Sequence, residues 1–161
     1  MVSLMELSTV LWRTRELLEL LLFKLEEEQL LLAAGRSRWL AHATREVEIV
    51  LEQIRTTEVI RAAHAQAAAE SLRLPDDASL SQLADASPAP WSDLLREHRK
   101  AFMALTAEVT ALAEANRGLL TTGLRAARET MLAFSGSVST YGRNGQSVSA
   151  GRRAGMLDEA L

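Results

Sequence analysis

Apolar residues recur at helical period through residues 102–134, and no proline interrupts them. Phe102, Leu105, Val109 and Leu112 form one run; Leu120, Leu124, Met131 and Phe134 form a second. This spacing predicts one long helix carrying a stripe that is either buried or available for burial. Asn116-Arg117-Gly118 stands between the two runs.

The composition extends the helical reading to the whole chain. Of the 161 residues 48% are hydrophobic, yet only 4% are aromatic, and leucine and alanine dominate. Strands favour the aromatic and β-branched residues this chain mostly lacks, so the expected fold is all-α, in one domain with a real core. Charge is interleaved, with a formal net of -3. No basic stripe marks a nucleic-acid footprint; Arg96, Arg99 and Lys100, with His98 among them, read as a solvated helix face. There is no cysteine, hence no disulfide, thiolate metal site or thiol nucleophile, which fits a reducing cytosol. The N-terminus lacks the pattern of a secretory signal, and the Leu20 to Phe23 run, closed by Glu19 and Lys24, is far shorter than the roughly 20 residues a membrane span needs.

Three long helices are expected, at about 4–34, 38–72 and 91–134. In the first, Leu4, Leu7, Leu11, Leu18, Leu21, Leu25 and Leu32 follow coiled-coil spacing, with Thr14 and Glu28 as breaks. Leu17, Leu20, Leu22 and Leu31 widen the stripe, which suggests contact with more than one helix. Gly35 ends this helix and Ser37 can cap the next, so the two lie antiparallel. The second helix points Leu40, Ala43, Val47, Leu51 and Ile54 inward. Its later half thins to alanines, which either permit close approach or leave a shallow groove. Leu74-Pro75 ends it. The connector 75–90 holds all three prolines and a Ser79/Gln82 capping-box spacing for a short helix, and Pro90 can open the third long helix. Residues 135–161, rich in glycine and serine, read as a flexible tail behind a helical domain of residues 1–134.

Catalytic and metal chemistry find no support. His42, His64 and His98 all lack the glutamate three positions earlier that a carboxylate-bridged di-metal bundle uses, and the His42/Glu46 pair reads as surface pairing. No Gly-x-Ser-x-Gly elbow occurs, and Gly142-Arg143-Asn144-Gly145 reads as a turn. No cofactor is expected.

What remains is apolar surface. At 1.5 Å per residue the three helices span about 46, 53 and 66 Å, so the third should overhang the others by roughly one to two dozen ångströms. Steps of four from Leu112 through Asn116 and Leu120 to Leu124 form a stutter that turns the stripe. Burying Asn116 demands a hydrogen-bond partner, and Gly118 and Gly123 each weaken the helix by about 1 kcal/mol. Such a region suits a surface that receives another helix. The alternative is that the same stripe packs on the chain's own helices or on a second copy.

The order of motifs resembles the FlgN family of flagellar export chaperones. Leu21-Leu22 leads to Glu26-Glu27-Glu28 and Leu30 to Leu32; Ala34-Gly35 turns into a second charged helix; a connector follows. The third helix then carries Asn116 followed by Leu119-Leu120, with Tyr141-Gly142-Arg143-Asn144-Gly145 behind it. Family members often place Asn and Gly side by side, whereas Arg117 separates them here. The resemblance implies a cytosolic, non-enzymatic chaperone of flagellar type III secretion. Such a chaperone binds the C-terminal helices of hook–filament junction proteins, prevents their premature association and brings them to the export gate or ATPase complex. The partner-binding residues are then expected to be Asn116, Leu119, Leu120, Leu124, Met131 and Phe134, with Tyr141 as the export-gate docking candidate. A self-associating helical adaptor, dimeric through the third long helix, is the competing reading.

Overall fold

The computed structural model describes residues 1–140, with side chains through residue 134. It contains α1 (Val2–Ala33), α2 (Ser37–Ser71), α3 (Leu80–Ala86) and α4 (Trp91–Thr140), and no strand among the described residues. The all-α expectation is met. No helix among the described residues is long and apolar enough to cross a membrane. The described chain divides into two units between Leu119 and Leu120, and the division falls at the stutter.

In the first unit, contacts fix the helix directions. Ser3 meets Ser71, Glu6 meets His64, Lys24 meets Glu46 and Glu28 meets Thr44, so α1 and α2 are antiparallel. Trp12 meets His98 and Leu25 meets Asn116, so α4 runs parallel to α1 over this span. The result is an up-down-up three-helix bundle. The Lys24–Glu46 pair, at 2.8 Å, joins α1 to α2; its hydrogen bond raises the lysine pKa and lowers that of the carboxyl.

Two apolar clusters make the core. One gathers Leu4, Leu7 and Leu11 of α1, Ala68 and Ala69 of α2, Leu83 and Ala84 of α3, and Leu95 of α4. This answers the question left by the alanine-rich half of α2. Two methyl-sized side chains there let the connector helix approach closely, and the chain fills its own groove. Ser79 and Gln82 form the expected capping box that starts α3. The other cluster joins Leu21 and Leu25 to Val47 and Val50, with Leu51, Ile54, Val109 and Leu112 alongside. Each fully buried leucine is worth about 1.5–3 kcal/mol.

Several details depart from expectation. Leu17 is buried and Leu18 only half-buried, because α1 faces both α2 and α4 and its buried stripe is wider than a two-helix seam. Ser37 does not cap α2: Arg36 holds the cap position and makes no side-chain bond. The Arg36 N–H instead bonds the Leu31 carbonyl and the Gly35 N–H the Leu32 carbonyl, with Gly35 at φ 65, a Schellman closure that turns the chain one residue sooner. The long third helix runs to Thr140, past Phe134. Extending an existing helix adds one hydrogen bond per residue, and Ser or Gly oppose it by about 1 kcal/mol or less each, so a Ser-Gly-Ser sequence is a weak stop. The remainder of the expected tail, residues 141–161, lies outside the described residues.

The end of α2 repeats the Schellman closure with a poorer residue. The Leu74 N–H bonds the Ala69 carbonyl, the Arg73 N–H bonds that of Glu70, and Arg73 adopts φ 58. A side chain at this angle strains the backbone, and Arg73 is exposed. Arg73→Gly is therefore expected to stabilise the bundle by about 0.5–1 kcal/mol, read as a higher urea midpoint. An unchanged or lower midpoint would show that the left-handed turn carries no strain.

Candidate functional site

The second half of α4 holds most of the expected partner-binding residues. Leu120, Leu124, Met131 and Phe134 are 44%, 64%, 57% and 67% exposed, with Leu132 at 59% beside them. Steps of four, seven and three between the first four keep them on one face. Leu119, the last residue of the first unit, is 39% exposed. Gly118 and Gly123 are both helical, with open space where a side chain would begin.

Large apolar side chains are also exposed on α1 and α2, but the aromatic ones differ in kind. Trp12, Phe23 and Trp39 each lie beneath a cation: Arg15 at 4.4 Å, Lys24 at 5.4 Å and Arg38 at 5.1 Å. A long polar side chain over such a ring both shields and satisfies its face. The aliphatic stripe of Leu120, Leu124 and Met131 has no π-face to hold a cation.

Asn116 sits elsewhere than the sequence suggests. It is 3% exposed, and its Nδ2 donates to the Leu25 carbonyl at 2.9 Å and to Glu28 Oε1 at 3.1 Å. Glu28 Oε2 in turn accepts from Thr44 Oγ1 at 2.9 Å. Glu28 and Asn116, the polar interruptions of two different stripes, thus meet in one layer to which α1, α2 and α4 each contribute a side chain. Such layers fix helix register, since sliding any helix strands a polar group. The amide of Asn116 faces inward, toward α1.

His98 is the buried group that sequence reasoning misses. Expected on a solvated face, it is 0% exposed, edge-on to Trp12 at 4.9 Å and stacked with Phe102 at 6.1 Å. The signal was present: Leu95, His98 and Phe102 are spaced three and four apart, so His98 occupies a seam position. Neither ring nitrogen has a hydrogen-bond partner among the described residues. Burial, and then the charge of Arg15, push its pKa from 6.5 down to about 4, so the ring is neutral at pH 7.

Among the described residues no three His, Asp or Glu side chains converge as metal ligands; His42 lies 3.4 Å from Glu46, which is already bonded to Lys24. Tyr141 falls outside the described residues. The described residues do present an exposed apolar helical face at Leu120, Leu124, Met131 and Phe134.

Comparison with known proteins points to a family. No curated protein and no solved structure matches the chain. The family model described as FlgN protein matches residues 1–149, nearly the full length and all four helices. On that span, together with the all-helical bundle, the chain belongs to the FlgN family of flagellar export chaperones.

Proposed function

We propose that the stripe of Leu120, Leu124, Met131 and Phe134 receives the C-terminal helix of a hook–filament junction protein in the cytosol. Binding shields the apolar end through which such a protein would associate prematurely, and the complex then travels to the export apparatus. The exposure of these four side chains at helical spacing carries the reading. An amphipathic helix laid along them buries both apolar faces at once. Asn116 holds α4 in register on α1 one turn before the stripe begins, rather than touching the partner. Tyr141 serves as the anchor at the export gate, since aromatic side chains are favoured anchors at interfaces.

The test is titration of a junction-protein C-terminal peptide into the full chain. Leu124→Asp or Met131→Asp is expected to weaken binding by more than tenfold with the circular dichroism unchanged, because each places a charge in an apolar interface. Loss of helix content with these substitutions would make the stripe part of the core and remove the site. Tyr141→Ala should leave peptide affinity intact and lower secretion; undiminished secretion would exclude the anchor.

A further inference from the structure

The docking stripe has a charged edge. Arg128 lies four residues after Leu124 and three before Met131, which places it against the stripe, and Arg125 lies one turn before Arg128, farther round the helix from the stripe. Both are exposed, and neither has an ion-pair partner among the described residues. Glu129 is the only carboxylate in residues 117–140, against Arg117, Arg125 and Arg128. The rest of the chain has the opposite balance, since the formal net charge overall is -3. A local basic edge therefore sits on an otherwise acidic molecule.

We propose that the helix received by this stripe is acidic: an amphipathic segment whose apolar seam is bordered by glutamate or aspartate, set to face Arg128, with Arg125 adding positive charge one turn away. The proposal rests on the reading of the stripe as a docking face and names the chemistry of what docks. In paired helices the seam supplies affinity, and the residues bordering it select the partner by charge. With Leu120, Leu124, Ala127, Met131 and Phe134 spaced four, three, four and three, Arg128 falls at such a bordering position. A second copy of this chain is a poor occupant, because it brings the same arginines to the seam and like charges oppose pairing. An anionic lipid surface is also disfavoured. Helices that lie on membranes are rich in Lys and Arg across a whole face, and an extended charged surface would meet the net negative charge of the entire chain. A partner helix interacts only within a screening length of about 8 Å and so meets the local arginines.

Two synthetic helical peptides distinguish the possibilities, sharing one leucine seam and differing in having Glu or Gln at the bordering positions. Calorimetric titration into the full chain is expected to show the Glu peptide binding about three- to tenfold more tightly at low salt, with the difference shrinking in high salt. Arg125→Gln with Arg128→Gln should bring the two peptides within about twofold while leaving the Gln peptide's affinity unchanged. Equal binding of both peptides, abolished by Leu124→Asp, would overturn the acidic preference and leave the docking face standing. Binding of neither peptide would remove the docking face as well. Arginine-dependent binding to phosphatidylserine vesicles, with no preference between peptides, would make lipid the ligand and overturn the proposal.

Discussion

Replacing His98 with leucine is expected to stabilise the bundle and to remove much of its sensitivity to mild acid. His98 is buried between Trp12 and Phe102, and both ring nitrogens lack hydrogen-bond partners among the described residues. A buried polar group without a hydrogen bond costs about 1–3 kcal/mol, whereas leucine fills similar space and asks for none. Loss of the edge-on contact with Trp12 returns about 0.5–1.5 kcal/mol, so the net gain at pH 7 is on the order of 1 kcal/mol. The pH dependence is larger. Because the folded-state pKa is depressed, from 6.5 to about 4, the unfolded chain binds the proton first as pH falls. Stability is thus fully present above about pH 7 and declines through the window from 6.5 to 4, by up to about 3 kcal/mol. Below pH 4 both states are protonated and this loss stops growing. Urea unfolding of both proteins from pH 4 to 8 should show curves that diverge below pH 6.5, with His98→Leu holding its midpoint better. Parallel curves would mean that the ring is hydrated or paired in solution.

The bundle itself is legible because its information is local. Leu4, Leu7 and Leu11 declare a buried face by spacing alone, Gly35 declares the reversal, and the Ser79/Gln82 pair declares a helix start; each signal lies within a few residues of its effect. His98 and Asn116 are different. Their spacing puts them on the inner face, but residue type argues against burial, and only the opposite helix decides. For Asn116 the deciding partner is Glu28, itself an apparent flaw in the α1 stripe. Two interruptions that look independent in sequence are one contact in space. The same limit applies to the stripe of Leu120, Leu124, Met131 and Phe134. Periodicity identifies an apolar face, but exposure depends on what other elements reach it. Helix ends at weak breakers are equally nonlocal: Ser135-Gly136-Ser137 is a poor helix former, yet α4 enters it from a long helix already formed.

The layer of Glu28, Thr44 and Asn116 predicts the sharpest single substitution, Asn116→Asp. The change keeps the size of the side chain and exchanges a double donor for an acceptor. Nδ2 now donates to the Leu25 carbonyl and to Glu28 Oε1, and an aspartate oxygen in its place faces a carbonyl and a like charge at about 3 Å in a nearly closed site. An uncompensated buried charge costs about 3–5 kcal/mol, a large part of the roughly 5–15 kcal/mol that holds an ordinary domain together. Glu28 and burial both raise the pKa of the introduced carboxyl above its unfolded value of about 3.9, so the folded state takes up the proton first. The penalty is therefore full at pH 7 and is relieved as pH falls toward 4, opposite in direction to the effect of His98. Asn116→Leu separates charge from packing. It removes the donor together with Asn116 Oδ1, which has no hydrogen-bond partner among the described residues, while Glu28 keeps Thr44. That variant should be as stable as the parent or more so, having exchanged a register-defining contact for apolar burial. Urea midpoints at pH 7 and pH 5 decide the matter. An aspartate variant as stable as the parent at pH 7 would place Asn116 in solvent, and α4 would then owe its register on α1 to apolar packing alone.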